Sequence, residues 1–500
     1  MKTTKIFLMA ALALAFAACS NDDNDILNPA QPAKAEGITI TATLAPKTNG
    51  AATRAVSEGT NEIVASWAVD EHIAILYNKD GAQMADATIN SVDASGTATI
   101  EFTVEDGTAD NTACTLVYPL SAAKADKSGV KDYASLLVTQ DGVLDGDLDV
   151  RVGAGTIQTT TPSLTVTTQP AAQYSIFKFT AQDIAGTAIT PSEFKISNAS
   201  GNVITTVTPS ASAFYVALPV LSADTYWFNA TADSKPYIAK ATVASATSAG
   251  KYYQSTVKMA TLGDLMAANG KFYADATAIT AASTTAVGVI AHIGSDATTE
   301  TIADGGGHGL VLCLKNAASC VVWSAESVSK FPGQEVTNGK GLKRTENVSG
   351  YTNTAALTAD AATAEKYPAA KAAKEYTTLA APSGTTGWFL PSAQQWVKMQ
   401  TGLGALNESS ITWGSWYDTS RTGVDKWETA LKKAGSGNYD SITPYLWYWS
   451  SSEESASNAV ILSVNGTAAW GNWGFHWSDC PKSLGGSSDS ASRVRPVLAF

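Results

Sequence analysis

Gly387-Trp388-Phe389-Leu390-Pro391-Ser392-Ala393-Gln394-Gln395-Trp396 sets the character of the last part of this chain. Further along come Tyr448-Trp449-Ser450-Ser451-Ser452-Glu453, an aromatic run from Trp470 to Trp477, and the closing Arg493-Val494-Arg495-Pro496-Val497-Leu498-Ala499-Phe500. Of 13 tryptophans, 11 follow residue 320. Tryptophan buries a large area and keeps one polar handle, so it concentrates in compact cores and contact surfaces. The C-terminal part is therefore built differently from everything before it.

These motifs, in this order, resemble the C-type-lectin-like domains at the ends of bacterial surface lipoproteins. That pattern is a helix, a W-x-LPS turn into a second helix, a YWSSSE strand and a final RxRPVxAF strand. The first helix is expected at Glu365–Lys374, preceded by Gly350–Thr354. The resemblance covers roughly residues 345–500 and extends back toward Gly263. It bears on fold and not on ligand.

At the other end, residues 1–18 read as a secretory signal. Lys2 and Lys5 precede the apolar run Ile6–Ala18, which is too short to span a bilayer as a mature helix. Phe16-Ala17-Ala18-Cys19 resembles a lipoprotein box, with Cys19 at the acylated position. The acidic stretch that follows, Ser20–Asp25, is either a solvated tether or a surface-export signal.

Five hundred residues exceed one core, so several domains are expected. The net charge of −12 and the lack of a basic cluster argue against nucleic acid as a partner. Ile38–Leu44 alternates apolar and polar residues, as a half-buried strand does. Further β-regions fall at Ile63–Tyr77, Ala98–Val104 and Cys114–Tyr118, with a turn at Asn78–Gly81. A second set includes Tyr174–Phe179, Phe194–Ile196, Phe214–Leu218, Tyr226–Phe228 and Gly250–Met259.

The lipobox, the isolated first strand, Trp67–Ile73 and the Val117-Tyr118-Pro119 strand end resemble the fimbrillins, the lipoprotein pilus subunits of anaerobic bacteria. The expected fold is mainly β: two fimbrillin-type (transthyretin-like) antiparallel β-sandwiches at 37–160 and 161–260. An α+β C-type-lectin-like domain at 261–500 follows them, and residues 19–36 form the tether. The resemblance implies cleavage between Arg54 and Ala55 by an Arg-specific protease. That would free Ile38–Leu44 for replacement by a strand from the next pilus subunit.

Gly309–Trp323 reads as a hairpin turning at Asn316-Ala317, which would set Cys313 opposite Cys320 within reach of a disulfide. Two free thiols, or a bridge from either to Cys480, are the alternatives.

No catalytic chemistry emerges. The four histidines, His72, His292, His308 and His476, lie in no nucleophile or zinc motif. Gly305–Gly309 lacks the lysine of a phosphate loop. No cofactor is expected. Asp418, Asp440, Glu453, Glu454, Asp479 and Asp489 raise calcium only as a formal option, because no ordered ligand loop accompanies them.

What remains is a binding surface. The lectin-like resemblance places ligands on the long loops after the second helix. Trp413, Trp416, Tyr417, Asp418, Asn472, Trp473, His476, Trp477 and Asp479 are the candidates, with core packing as the competing reading for the tryptophans. The expected protein is a non-enzymatic pilus tip adhesin held to the outer membrane by its lipid. Its partners would be other subunits and a glycan or cell-surface ligand. A non-polymerising glycan-binding lipoprotein is the alternative.

Overall fold

The computed structural model describes residues 37–47, 56–58, 63–294, 307–332, 349–465, 474–484 and 492–500, apart from 412, 415, 419, 443 and 444. The signal, the tether, Cys19, Arg54, Ala55, Asn472, Trp473 and Asp489 lie outside the described residues.

The fold is mainly β. The first sheet contains β1 (Ile38–Leu44), β2 (His72–Asn78), β3 (Ala82–Val92), β4 (Ala98–Val104), β5 (Thr112–Tyr118), β6 (Arg151–Gln158) and β7 (Ser163–Ala172). Its order is β1-β4-β3-β2-β5-β6-β7. Ile40, Ala42 and Leu44 point inward while Thr39, Thr41 and Thr43 face water, as period-two patterning requires. The sheet curls until its edges approach: the Ala45 N–H beyond β1 donates to Gln169 Oε1 of β7 at 3.1 Å. One core results, with Leu44, Ile75, Ile100, Phe102 and Ile157 among its members.

The second sheet holds β8 (Ser175–Asp183), β9 (Glu193–Ser197), β10 (Val203–Val207), β11 (Ala213–Leu218), β12 (Thr225–Ala232), β13 (Lys235–Thr242) and β14 (Tyr252–Thr261). Its order is β11-β8-β14-β13-β12-β9-β10, with Thr139–Gln140 beyond β10. Two details correct the sequence reading. The division at residue 160 falls too early, because β7 pairs with β6 and carries the first sheet to Ala172. The pairing is also mixed, since β8 and β14 run parallel. Gln140 explains why the linker enters this sheet: its buried amide bonds Leu137, Thr205 and Ala217.

The C-terminal part carries two more sheets with helices. One places β15 (Leu265–Ala267), β16 (Ala286–Ile293) and β17 (Gly309–Cys313) side by side. The helices of this part include α1 (Gly350–Leu357), α2 (Ala361–Lys366), α3 (Pro368–Lys374), α4 (Ala393–Thr401) and α5 (Thr422–Lys432). The other sheet contains β18 (Trp416–Tyr417), β19 (Leu446–Glu453), β20 (Asn458–Asn465), β21 (Gly474–Pro481) and β22 (Ser492–Val494). The final strand, β23 (Val497–Ala499), crosses back to pair with β17.

The motif residues now have physical roles. Ser392 caps α4 and Gln395 closes the reciprocal bond, so the helix starts where the Leu-Pro-Ser turn ends. Gly350 sits so close to Gln395 and Leu390 that an added Cβ would lie 2.4 Å and 2.6 Å from their oxygens. The serine run is a polar zipper: Ser450 Oγ donates to Val460 O, Ser451 Oγ accepts from Asn353, and Ser452 Oγ accepts from Ala393 N. The single helix expected at 365–374 is two. Pro368 lacks an N–H and pushes Tyr367 out of the helical region.

The boundary at 261 is not a gap in packing. Trp227, Ile238 and Ala260 of the second sheet share a core with Met266, Val287, Ile290, Val311, Leu498 and Phe500.

The Cys313–Cys320 pairing is wrong. Cys313 ends β17 in one sheet, whereas Ala318–Ser319 pairs with β22 in the other. Between them Asp440 accepts the Asn316 N–H and the Leu314 N–H donates to Val287, so the chain changes sheets instead of turning back. Both thiols are free, as is Cys480. Burial pushes Cys313 up to about 11.

Candidate functional site

The loop before α5 zips onto β21. Trp416 pairs with His476 and Tyr417 with Phe475, while Trp413 bridges to Trp477. The structure thus brings five of the sequence-predicted residues together, and two of them, Tyr417 and Trp477, are buried.

Tyr417 and Trp477 are core residues. Both polar handles end on Gln400, itself fully buried. The Gln400 amide donates to the Tyr417 hydroxyl at 3.0 Å, and Trp477 Nε1 donates to Gln400 Oε1 at 3.4 Å. An aromatic ring whose one polar atom is satisfied inside has no reason to be exposed. Burial drives the Tyr417 phenol well above its ordinary value. Trp413 is half-buried against the same core. Asp418 is also corrected. Its carboxylate accepts from the Gly423 and Val424 N–H groups at 2.9 and 3.1 Å, which caps α5. Asp479 is exposed and accepts from Asn458.

Register supplies a surface that sequence alone did not reveal. Directly opposed residues on neighbouring antiparallel strands share a face. Trp447 of β19 opposes Ser463 of β20, Ser463 opposes His476 of β21, and His476 opposes Trp416 of β18. The row is two tryptophan positions, a serine and an imidazole across four strands. Ser463 is buried between its larger neighbours, while Trp447 and His476 are half-exposed. Trp447 Nε1 itself is buried and has no hydrogen-bond partner among the described residues. Burial lowers the His476 pKa, against the opposing effect of a hydrogen bond with the Gly414 backbone.

Two further candidate carboxylates, Glu453 and Asp440, are engaged elsewhere. Glu453 is fully buried, 2.7 Å from the Lys482 ammonium, and accepts the Lys330 and Phe331 N–H groups. Asp440 pairs with Lys315 at 3.3 Å. Among the described residues no cluster of three His, Cys, Asp or Glu side chains could hold a metal.

His72 and His308 make structural contacts. His72 pairs with Asp86 at an exposed strand position. His308 stacks on Trp227 with ring centres 3.8 Å apart, buried between the second sheet and the C-terminal part. Burial, with Lys240 nearby, lowers its pKa to about 4.

The two terminal strands form a second candidate site. β1 lies at the edge of its sheet and pairs at seven positions with β4, from Ile38–Val104 to Leu44–Ala98. β23 is bonded on both flanks. Leu310, Val311 and Leu312 pair with it on one side. On the other, Phe389 exchanges two bonds with Val497 and Thr386 exchanges two with Ala499.

No protein-family model matches this chain, and no curated protein matches it. Similar solved structures exist at low identity. A fimbrial protein from Bacteroides ovatus is 15% identical, with 93% of this chain and 99% of that one covered and a TM-score of 0.34. A putative cell adhesion protein from Bacteroides uniformis is 14% identical over 45% of this chain and 97% of its own, with a TM-score of 0.28. A fimbrial assembly protein from Parabacteroides distasonis is 11% identical over 44% and 91%, with a TM-score of 0.26.

Proposed function

We propose that this chain is the terminal, adhesive subunit of a pilus, not an enzyme, anchored at Cys19 before assembly. The observation that carries the reading is the contrast between its end strands. β1 is an edge strand whose removal would uncover a groove lined by the core residues that Ile40, Ala42 and Leu44 now cover. A segment from another subunit can fill such a groove by strand addition. β23 is held on both flanks and on both faces, so it is not available to a neighbour. A subunit that accepts a strand while its strand β23 stays engaged would end a fibre. The C-terminal part, lectin-like in its motifs, then faces outward with the half-exposed Trp447 and His476 as contact residues for a glycan.

The test is N-terminal sequencing of the surface-assembled form together with gold labelling of the C-terminal part. A start at Ala55 with label at the distal end is expected. A start at Cys19, or label spread along the shaft, overturns the reading. On a glycan array, His476→Ala should lose capture with an unchanged melting temperature.

A further inference from the structure

Lys47 lies three residues beyond Leu44, the last buried residue of β1, and its side chain is fully buried. The ammonium sits 3.6 Å from the centre of the Tyr118 ring and 4.3 Å from that of Trp67. Asp149 lies 3.2 Å away and Glu71 3.6 Å away. A charge taken out of water is tolerated only where opposite charges and aromatic faces replace the lost hydration.

The walls of this box hold one another without the Lys47 side chain. The Tyr118 hydroxyl donates to Glu71 Oε1 at 2.7 Å, and the Ala68 N–H donates to Glu71 Oε2 at 3.0 Å. Arg151 Nε donates to both oxygens of Asp149, at 2.8 and 3.0 Å. Every wall residue belongs to the body of the sheet, between Trp67 and Arg151. Only the occupant comes from the N-terminal segment. The walls also grip that segment's backbone: Trp67 Nε1 donates to Ala45 O at 2.8 Å, and Arg151 Nη1 to Lys47 O at 3.4 Å.

We propose that this box reads the incoming strand. The segment that replaces β1 must carry a lysine or arginine three residues after its last inward-facing apolar residue. The inference rests on the strand release described under Proposed function. A cut after Arg54 lets Lys47 leave together with β1. The box then holds two carboxylates, Glu71 and Asp149, against one guanidinium, Arg151. An incoming strand running in the direction of β1, antiparallel to β4, fills the positions of Ile40, Ala42 and Leu44 and brings its cation to the vacated place. A strand with the right apolar pattern and no cation fits the groove but leaves a buried negative charge uncompensated. Selection therefore works by rejecting the wrong strand as much as by holding the right one.

The experiment uses the full chain cut by an Arg-specific protease, exchanged against labelled peptides in excess. One peptide carries Gly37–Lys47 as it stands; the other carries Lys47→Met, of nearly the same length and without charge. The lysine peptide should be retained and the methionine peptide bound about a hundredfold more weakly, the factor expected for an uncompensated buried charge. In a Glu71→Gln chain the ratio should shrink to a few-fold. Equal retention of the two peptides by the unmodified chain overturns the box and leaves strand release standing. A chain that the protease leaves whole, or a cut chain that retains neither peptide, overturns strand release and this inference with it.

Discussion

The first strand and the last strand are both short, apolar-patterned and at sheet edges, yet they are built to opposite ends. β1 buries one face, and its outer flank meets the far edge of its own sheet through the Ala45–Gln169 bond. β23 buries both faces: Val497 and Ala499 enter the helix-side core, while Leu498 enters the core shared with the second sheet. Arg495, just before it, is fully buried and donates twice to Asp440 O at 3.1 Å. Edge position alone therefore does not make a strand exchangeable. What matters is whether its second face and second flank are already used.

The largest expected effect follows from that contrast. Deleting Pro496–Phe500 removes Val497, Leu498 and Phe500 from two cores, at about 1.5–3 kcal/mol each. The C-terminal part should lose its cooperative melting transition, and Trp227 fluorescence should report solvent exposure. Deleting residues 1–47 should instead destabilise only the first sheet. Calorimetry that shows the reverse pattern would break the comparison.

Next is the buried Glu453–Lys482 pair. Lys482→Ala leaves a carboxylate uncompensated at a fully buried position and should cost about 3–5 kcal/mol. Adding Glu453→Gln should recover much of the loss in chemical denaturation. If the double variant is no better than the single one, the pair is not the cause.

The joint between the second sheet and β23 should respond to acid. His308 has a folded pKa of about 4, below the 6.5 of an unfolded histidine. Its contribution is complete above pH 6.5 and is lost as pH falls toward 4, amounting to about 3 kcal/mol. His308→Phe keeps a ring against Trp227 and should remove most of that slope. His476, also lowered by burial, acts in the same direction. Melting temperature against pH for both chains decides it.

The smallest effect concerns the outer surface. Asp418→Ala should cost about 1 kcal/mol as a lost cap of α5 and leave glycan capture unchanged. Lost capture at unchanged stability would return Asp418 to the ligand site.

Much of this was legible in the chain. Ile38–Leu44 forms a strand with those bounds, because two-residue alternation needs no partner to be recognised. The turn at Ser392 and the YWSSSE strand stand where the motifs put them. The errors share one cause. Tyr417, Trp477 and Asp418 lie among glycines and polar residues, which look like an exposed loop. Each is turned inward or onto the backbone by a partner distant in sequence, or by a helix start five residues on: Gln400 for the two rings, Gly423 for the carboxylate. The same holds for Cys313: its β-like neighbours read as one side of a hairpin, but Asp440 holds the turn apart.

By itself the sequence determined where some elements begin, among them the strand Ile38–Leu44 and the helix after Ser392, because periodicity and capping are local and act within a few residues. It also determined the lack of any recognisable catalytic motif, which is a matter of residue types and spacing. Only the tertiary structure decided which side chains meet. Trp447, Ser463, His476 and Trp416 form one row because strand register, set by pairing across residues 416–476, lines them up. Lys47 looks like any lysine in a polar loop. It is a buried cation only because Trp67, Glu71, Tyr118 and Asp149 converge on it, and no local pattern encodes that convergence.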